Sequence, residues 1–114
     1  MPEEMEKKIL DYQSYAKQLE LIVAQKAQYM TRKEELNIAL EEIKKLPEDA
    51  VVFKMLGGFL IEVNRQEAEK QILDELNETT VRIDQLEKQE KRLSDKLKDL
   101  RAELETFLKP GMGQ

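Results

Sequence analysis

Apolar residues recur along this chain in two long helical patterns separated by one short run with a different period. The second pattern is the cleaner. Ile72, Leu76, Thr79, Ile83, Leu86, Glu90, Leu93, Leu97, Leu100, Leu104 and Phe107 fall in alternating steps of four and three. Nine of these eleven positions are large and apolar, which is the heptad signature of a helix packed lengthwise against another helix. Asn64 is placed to cap its start, with Glu67 three residues on in capping-box position, and Pro110-Gly111 stops it, giving a helix over 65–109 and a tail over 110–114. The first pattern runs over 3–46, where nothing breaks a helix. Glu3, Glu4 and Glu6 suit the positive end of the helix dipole, and Leu46-Pro47 closes the segment. Its seam begins as Met5, Ile9, Tyr12, Ala16, Leu19 and Val23. Lys26, Lys33 and Asn37 then fall on that line, and Leu36, Leu40 and Ile43 imply a one-residue change of phase.

Between the helices, residues 51–63 read as a β-hairpin. They are rich in Val, Phe and Ile, nearly free of charge, and interrupted by Gly57-Gly58. Two registers compete. A two-residue Gly57-Gly58 loop pairs Phe53 with Glu62 and mixes apolar with charged side chains. A three-residue loop, Leu56-Gly57-Gly58, pairs Met55 with Phe59, Phe53 with Ile61 and Val51 with Val63, collecting all six on one face. The second is preferred here, with Gly58 at φ > 0. A lone two-stranded hairpin is marginal in water, so this one is expected to pair through its free edges with hairpins of other chains. The alternative is a hairpin folded onto its own helices. The fold expected is dominated by α-helix: a long antiparallel two-helix coiled coil with one β-hairpin between the helices, as a single domain over 1–114. Lys26 and Glu90 then come within about a turn of each other, either pairing or both reaching to solvent.

Composition narrows the function. Charged residues make up 38% of the 114, aromatics 5%, and the net charge is −5 with both signs interspersed. No basic face is visible, which argues against a nucleic-acid partner. No apolar run approaches a membrane span, and the acidic N-terminus is the wrong sign for a signal peptide, so a cytoplasmic protein without a membrane partner is expected. There is no His and no Cys, and Ser occurs only at 14 and 94. An enzyme is therefore not expected, nor a cofactor or a metal. Gly57-Gly58 lacks the Lys-Ser/Thr element of a phosphate loop.

The helix–hairpin–helix layout resembles the β-type subunit of prefoldin, in an archaeal-like form. The resemblance rests on the run from Val52 to Val63, with Phe53-Lys54 before a Gly-containing turn, on the leucine-rich second helix, and on the Pro110-Gly111-Met112-Gly113 tail. A single hairpin fits the β-type, because α-type subunits carry two. The resemblance implies assembly with a prefoldin α-type subunit and further β-type subunits into an α2β4 hexamer whose hairpins close into a double barrel. It also implies an ATP-independent chaperone that holds non-native polypeptides at its coiled-coil tips and delivers them to a group II chaperonin. In that reading the hairpin residues Val51, Phe53, Met55, Phe59, Ile61 and Val63 make the oligomer. Clients meet the free end: Met1, Met5, Ile9, Leu104, Phe107, Leu108 and Met112. Ile9, Leu104 and Phe107 lie on the seams and could equally pack on one another. A rival reading is an architectural spacer or tether, which accounts for the heptads but leaves the hairpin and the apolar tail without a task.

Overall fold

The computed structural model describes residues 2–108, with Pro2 described by its backbone alone. Four elements follow in order: α1 (Pro2–Lys44), β1 (Val51–Leu56), β2 (Phe59–Asn64) and α2 (Arg65–Leu108). Two long helices with a two-stranded antiparallel hairpin between them is the architecture that the hydrophobic pattern predicts. Lys109 and the 110–114 tail lie outside the described residues. α1 ends at Lys44 rather than at Leu46 because the last turn tightens ahead of Pro47. The amides of Lys45 and Leu46 donate back three residues, to Glu42 O (3.3 Å) and Ile43 O (3.1 Å). A turn closed by Ala50 N–H on Pro47 O (3.1 Å) then leads into β1.

The chain divides into two compact units, residues 1–27 with 84–114, and residues 28–83. In the first, the start of α1 runs antiparallel to the end of α2: Lys8 bonds Glu103 at 3.0 Å and Lys26 bonds Glu90 at 2.7 Å. Leu86 and Leu93 are buried there, and the Lys96 ammonium lies 4.9 Å from the centre of the Tyr15 ring. In the second unit, Leu36, Ala68, Leu76, Ile83 and the hydroxyl-bearing Thr79 are buried. Arg32 bonds one oxygen of Glu75 through Nε (2.9 Å) and Nη2 (2.7 Å), and Arg82 lies 5.9 Å from the Tyr29 ring centre.

Every seam position read from the sequence of α2 is buried or half-buried. α1 differs from expectation. The line least exposed over its whole length is Met5, Lys8, Tyr12, Tyr15, Leu19, Ile22, Lys26, Tyr29, Lys33, Leu36, Leu40 and Ile43, with Leu36 buried and the others half-buried, in steps of three and four with no change of phase. Val23 is 43% exposed and Asn37 is exposed, so neither belongs to it. Ile9 and Ala16 are half-buried beside that line, as expected, and the apolar stripe they begin reaches solvent at Val23. The line that alternates with it is disguised by lysines and tyrosines, whose long stems pack while the Lys8 and Lys26 ammonium groups pair with Glu103 and Glu90.

The hairpin also corrects its expected register. Val51 pairs with Asn64, Val52 with Val63, Phe53 with Glu62, Lys54 with Ile61, Met55 with Leu60 and Leu56 with Phe59. The loop is therefore Gly57-Gly58 alone, with both residues at positive φ, 56° and 82°. A two-residue turn of the primed type needs that conformation twice and matches the right-handed twist of the strands; two adjacent glycines supply it without a Cβ clash. Turn chemistry outweighs the gathering of apolar side chains on one face. The set Val51, Phe53, Met55, Phe59, Ile61 and Val63 is split, the first three on one face with Leu60 and Glu62, the last three on the other with Val52, Lys54 and Leu56.

Candidate functional site

The hairpin is the most exposed apolar part of the described chain. Val51, Phe53, Met55, Leu56, Phe59, Leu60 and Ile61 are all exposed, Phe59 at 73% and Phe53 at 58%. The sheet has only two strands, so each presents an unpaired row of backbone donors and acceptors along its outer edge. With apolar side chains on both faces and two open edges, the hairpin can gain on every side from further strands. Covering seven such residues would recover on the order of 10 kcal/mol before the cost of association.

Only the base of the hairpin is partly covered. Val52 and Val63, paired across the strands, are half-buried. They share an open groove of about 380 Å³ with Leu36, Ala39, Ile43 and Ile72 of the helices. Two adjacent residues at the exit of β2 close the neck beneath it. Asn64 Oδ1 accepts a hydrogen bond from the Glu67 amide at 2.8 Å, capping α2 as its sequence position predicts. Arg65 reaches the other way: its Nε donates to Ile43 O (2.9 Å) and its Nη2 to Lys44 O (3.2 Å), at the end of α1. Sequence reasoning missed Arg65. The available signal was a guanidinium placed where the returning chain meets the carbonyl end of the first helix.

At the start of α1 and the end of α2, Met5, Ile9, Leu104 and Phe107 are half-buried, and Leu108 is 66% exposed. The Lys8–Glu103 bond brings the start of α1 to the end of α2. Met1 and Met112 lie outside the described residues. Three cations carry pKa values above their ordinary ones: Lys8 through its hydrogen bond to Glu103, Lys26 through Glu90, and Arg32 through Glu75. Each is an ion pair between the two helices. Among the described residues, no group of three or more His, Cys, Asp or Glu side chains is placed to hold a metal ion, and no helix is long and apolar enough to cross a membrane.

Comparison with known proteins agrees with this architecture. The sequence profile of the prefoldin subunit family matches residues 6–110. The prefoldin subunit beta of Thermococcus kodakarensis is 34% identical over 110 residues, covering 96% of this chain and 94% of its own length. That of Thermococcus gammatolerans is 36% identical with the same coverage. The crystal structure of the prefoldin beta subunit from Thermococcus strain KS-1 superposes with a TM-score of 0.87 at 34% identity, covering 94% of each chain. Two heptad-patterned helices, the single hairpin between them and these matches over nearly the whole length establish that the chain belongs to the prefoldin subunit family.

Proposed function

We propose that this chain is the β-type subunit of a cytoplasmic, ATP-independent chaperone. It assembles through its hairpin with a prefoldin α-type subunit and further copies of itself, in an α2β4 arrangement. The start of α1 and the end of α2, through Met5, Ile9, Leu104, Phe107 and Leu108 together with Met1 and Met112, hold non-native polypeptides and pass them to a group II chaperonin. The observation that carries the reading is the hairpin itself, apolar on both faces and open at both edges. Family membership supports the role, and at the helix ends an exposed Leu108 lies next to the half-buried Leu104 and Phe107. Several weak apolar contacts, each from one subunit, would add up through avidity.

The test has two arms. Mixing the chain with an archaeal prefoldin α-type subunit should give a complex of hexameric mass by light scattering. That complex should suppress aggregation of a chemically denatured test protein without nucleotide. Deleting residues 107–114 together with Met5→Ser should still give a hexamer and weaken the suppression. Failure to assemble would refute the subunit reading; a truncated complex that protects as well as the parent would refute the placement of client contact.

A further inference from the structure

The neck of the hairpin assigns Arg65 a role that rests on the proposed assembly. We propose that Arg65, working back to back with Asn64, is the positioning residue that fixes the hairpin in the attitude needed for strand pairing between subunits. Neither residue would contact the partner strand.

The argument starts from the ends of the two helices. The last carbonyls of α1 have no partner within the helix, and the first amides of α2 have none either. The amides of Lys45 and Leu46 answer Glu42 O and Ile43 O from the departing chain. Lys44 O is reached instead by Arg65, which also makes a second bond to Ile43 O. One residue earlier, Asn64 answers the amide of Glu67. Consecutive side chains thus cap the end of one helix and the start of the other. The excursion from 45 to 64 is tied shut at its base across 22 and 21 residues of chain.

The geometry asks for arginine. Two different nitrogens of one planar fork address two successive carbonyls, and a guanidinium keeps its charge at any working pH. The cation also sits at the negative end of the α1 dipole. Lysine would keep the charge and lose the second, differently directed donor. With the neck closed, the Val52–Val63 pair stays beside Leu36, Ile43 and Ile72, and the exposed strands above it keep a fixed direction. With it open, the turn at Pro47–Ala50 becomes a pivot, and strand pairing with a partner must first order the hairpin.

Arg65→Met and Arg65→Lys separate this role from general stability. In the isolated chain, amide hydrogen exchange over residues 52–63 should accelerate by roughly tenfold in Arg65→Met, the scale expected for losing hydrogen bonds from a charged donor, while residues 84–104 keep their protection. Assembly with the α-type subunit should weaken by a similar factor, and Arg65→Lys should recover only part of either loss. Faster exchange spread equally over both units would overturn the proposal, as would a loosened hairpin that assembles with parental affinity. If Arg65→Met does not fold, Arg65→Lys carries the same comparison. A parent chain that never assembles defeats the subunit reading and the positioning role with it, whereas the exchange pattern alone decides whether the neck is clamped.

Discussion

Leu86 is fully buried, at 0% exposure, and Leu21 on α1 of the same unit is 61% exposed. Truncating each to alanine isolates what the seam contributes, because the chemical change and the small gain in helix propensity are the same at both sites. Leu86→Ala removes three carbons from a dry site, about 2.4 kcal/mol at ~0.8 kcal/mol per carbon. The cavity left behind adds to this, but less than in a globular core. The next seam position, Glu90, and its partner Lys26 are only half-buried, so side chains and water can close in. The expected loss is therefore about 3 kcal/mol, toward the lower end of the usual ~2–5 kcal/mol for Leu→Ala. At roughly 4 °C per kcal/mol for a chain of this length, the melting point should fall by about 12 °C. Leu21→Ala should cost less than about 1 kcal/mol, since most of its surface is already in water. Circular dichroism at 222 nm, during heating and in urea, would measure both at one fixed protein concentration so that assembly does not shift the midpoint. A Leu86→Ala midpoint no lower than that of Leu21→Ala would refute the seam assignment.

Three further outcomes test other parts of the structure. Gly57→Asn should be nearly neutral, because Asn tolerates the left-handed region at the first turn position, whereas Gly58→Val should cost on the order of 1 kcal/mol or more through backbone strain alone; a Cβ at either position would meet no atom within 4 Å. Equal urea midpoints for the two would count against the two-residue turn. Phe53→Asp and Ile61→Asp, on opposite faces, should each block assembly while leaving helical dichroism intact, and loss with only one of them would show that a single face is used. The third concerns Lys26. Its pKa is raised in the folded chain by its hydrogen bond to Glu90, so the pair's contribution is fully present below the ordinary lysine value of 10.5 and is lost as pH rises through the raised value. Urea midpoints at pH 8 and pH 11.5 should therefore diverge more for the parent than for Lys26→Met/Glu90→Leu; parallel declines would exclude a role for the pair.

The legibility of the fold varies with the chemistry of each segment. α2 can be read position by position because its seam is almost entirely Leu and Ile. On α1 the seam hides in lysines and tyrosines, while Ile9 and Ala16 beside it, half-buried themselves, point on to a Val23 that is exposed. Asn64 is visible as a cap because that signal is local. The nearness of Lys26 and Glu90 follows once two helices of similar length are folded back on each other, and the 2.7 Å bond answers the remaining question in favour of pairing. The hairpin register eludes a reading that weighs side-chain faces above the φ demands of Gly57 and Gly58. Arg65 is legible only once the layout is known: its partners are backbone carbonyls more than twenty residues away, and the one signal is a cation where the returning chain meets the end of α1.

The seams of the two helices are not interchangeable, and this governs how copies of the chain behave when crowded together. α1 places Lys8, Lys26 and Lys33 among its twelve seam positions; α2 has Glu90 and no base on the part of its seam from Ile72 to Phe107. Two copies of α1 laid side by side in parallel would stack lysine on lysine three times, and two copies of α2 would set Glu90 against Glu90. Only an α1 against an α2 lets Glu90 meet a cation, as Lys26 does here. Each α1 has an α2 already tethered to it by a short connector, at an effective concentration that a free competitor must exceed, on the order of millimolar for short links. Many such chains could therefore be gathered through their hairpins without trading helices: the like-for-like exchange is repelled, and the like-for-unlike exchange gains nothing over the partner already attached.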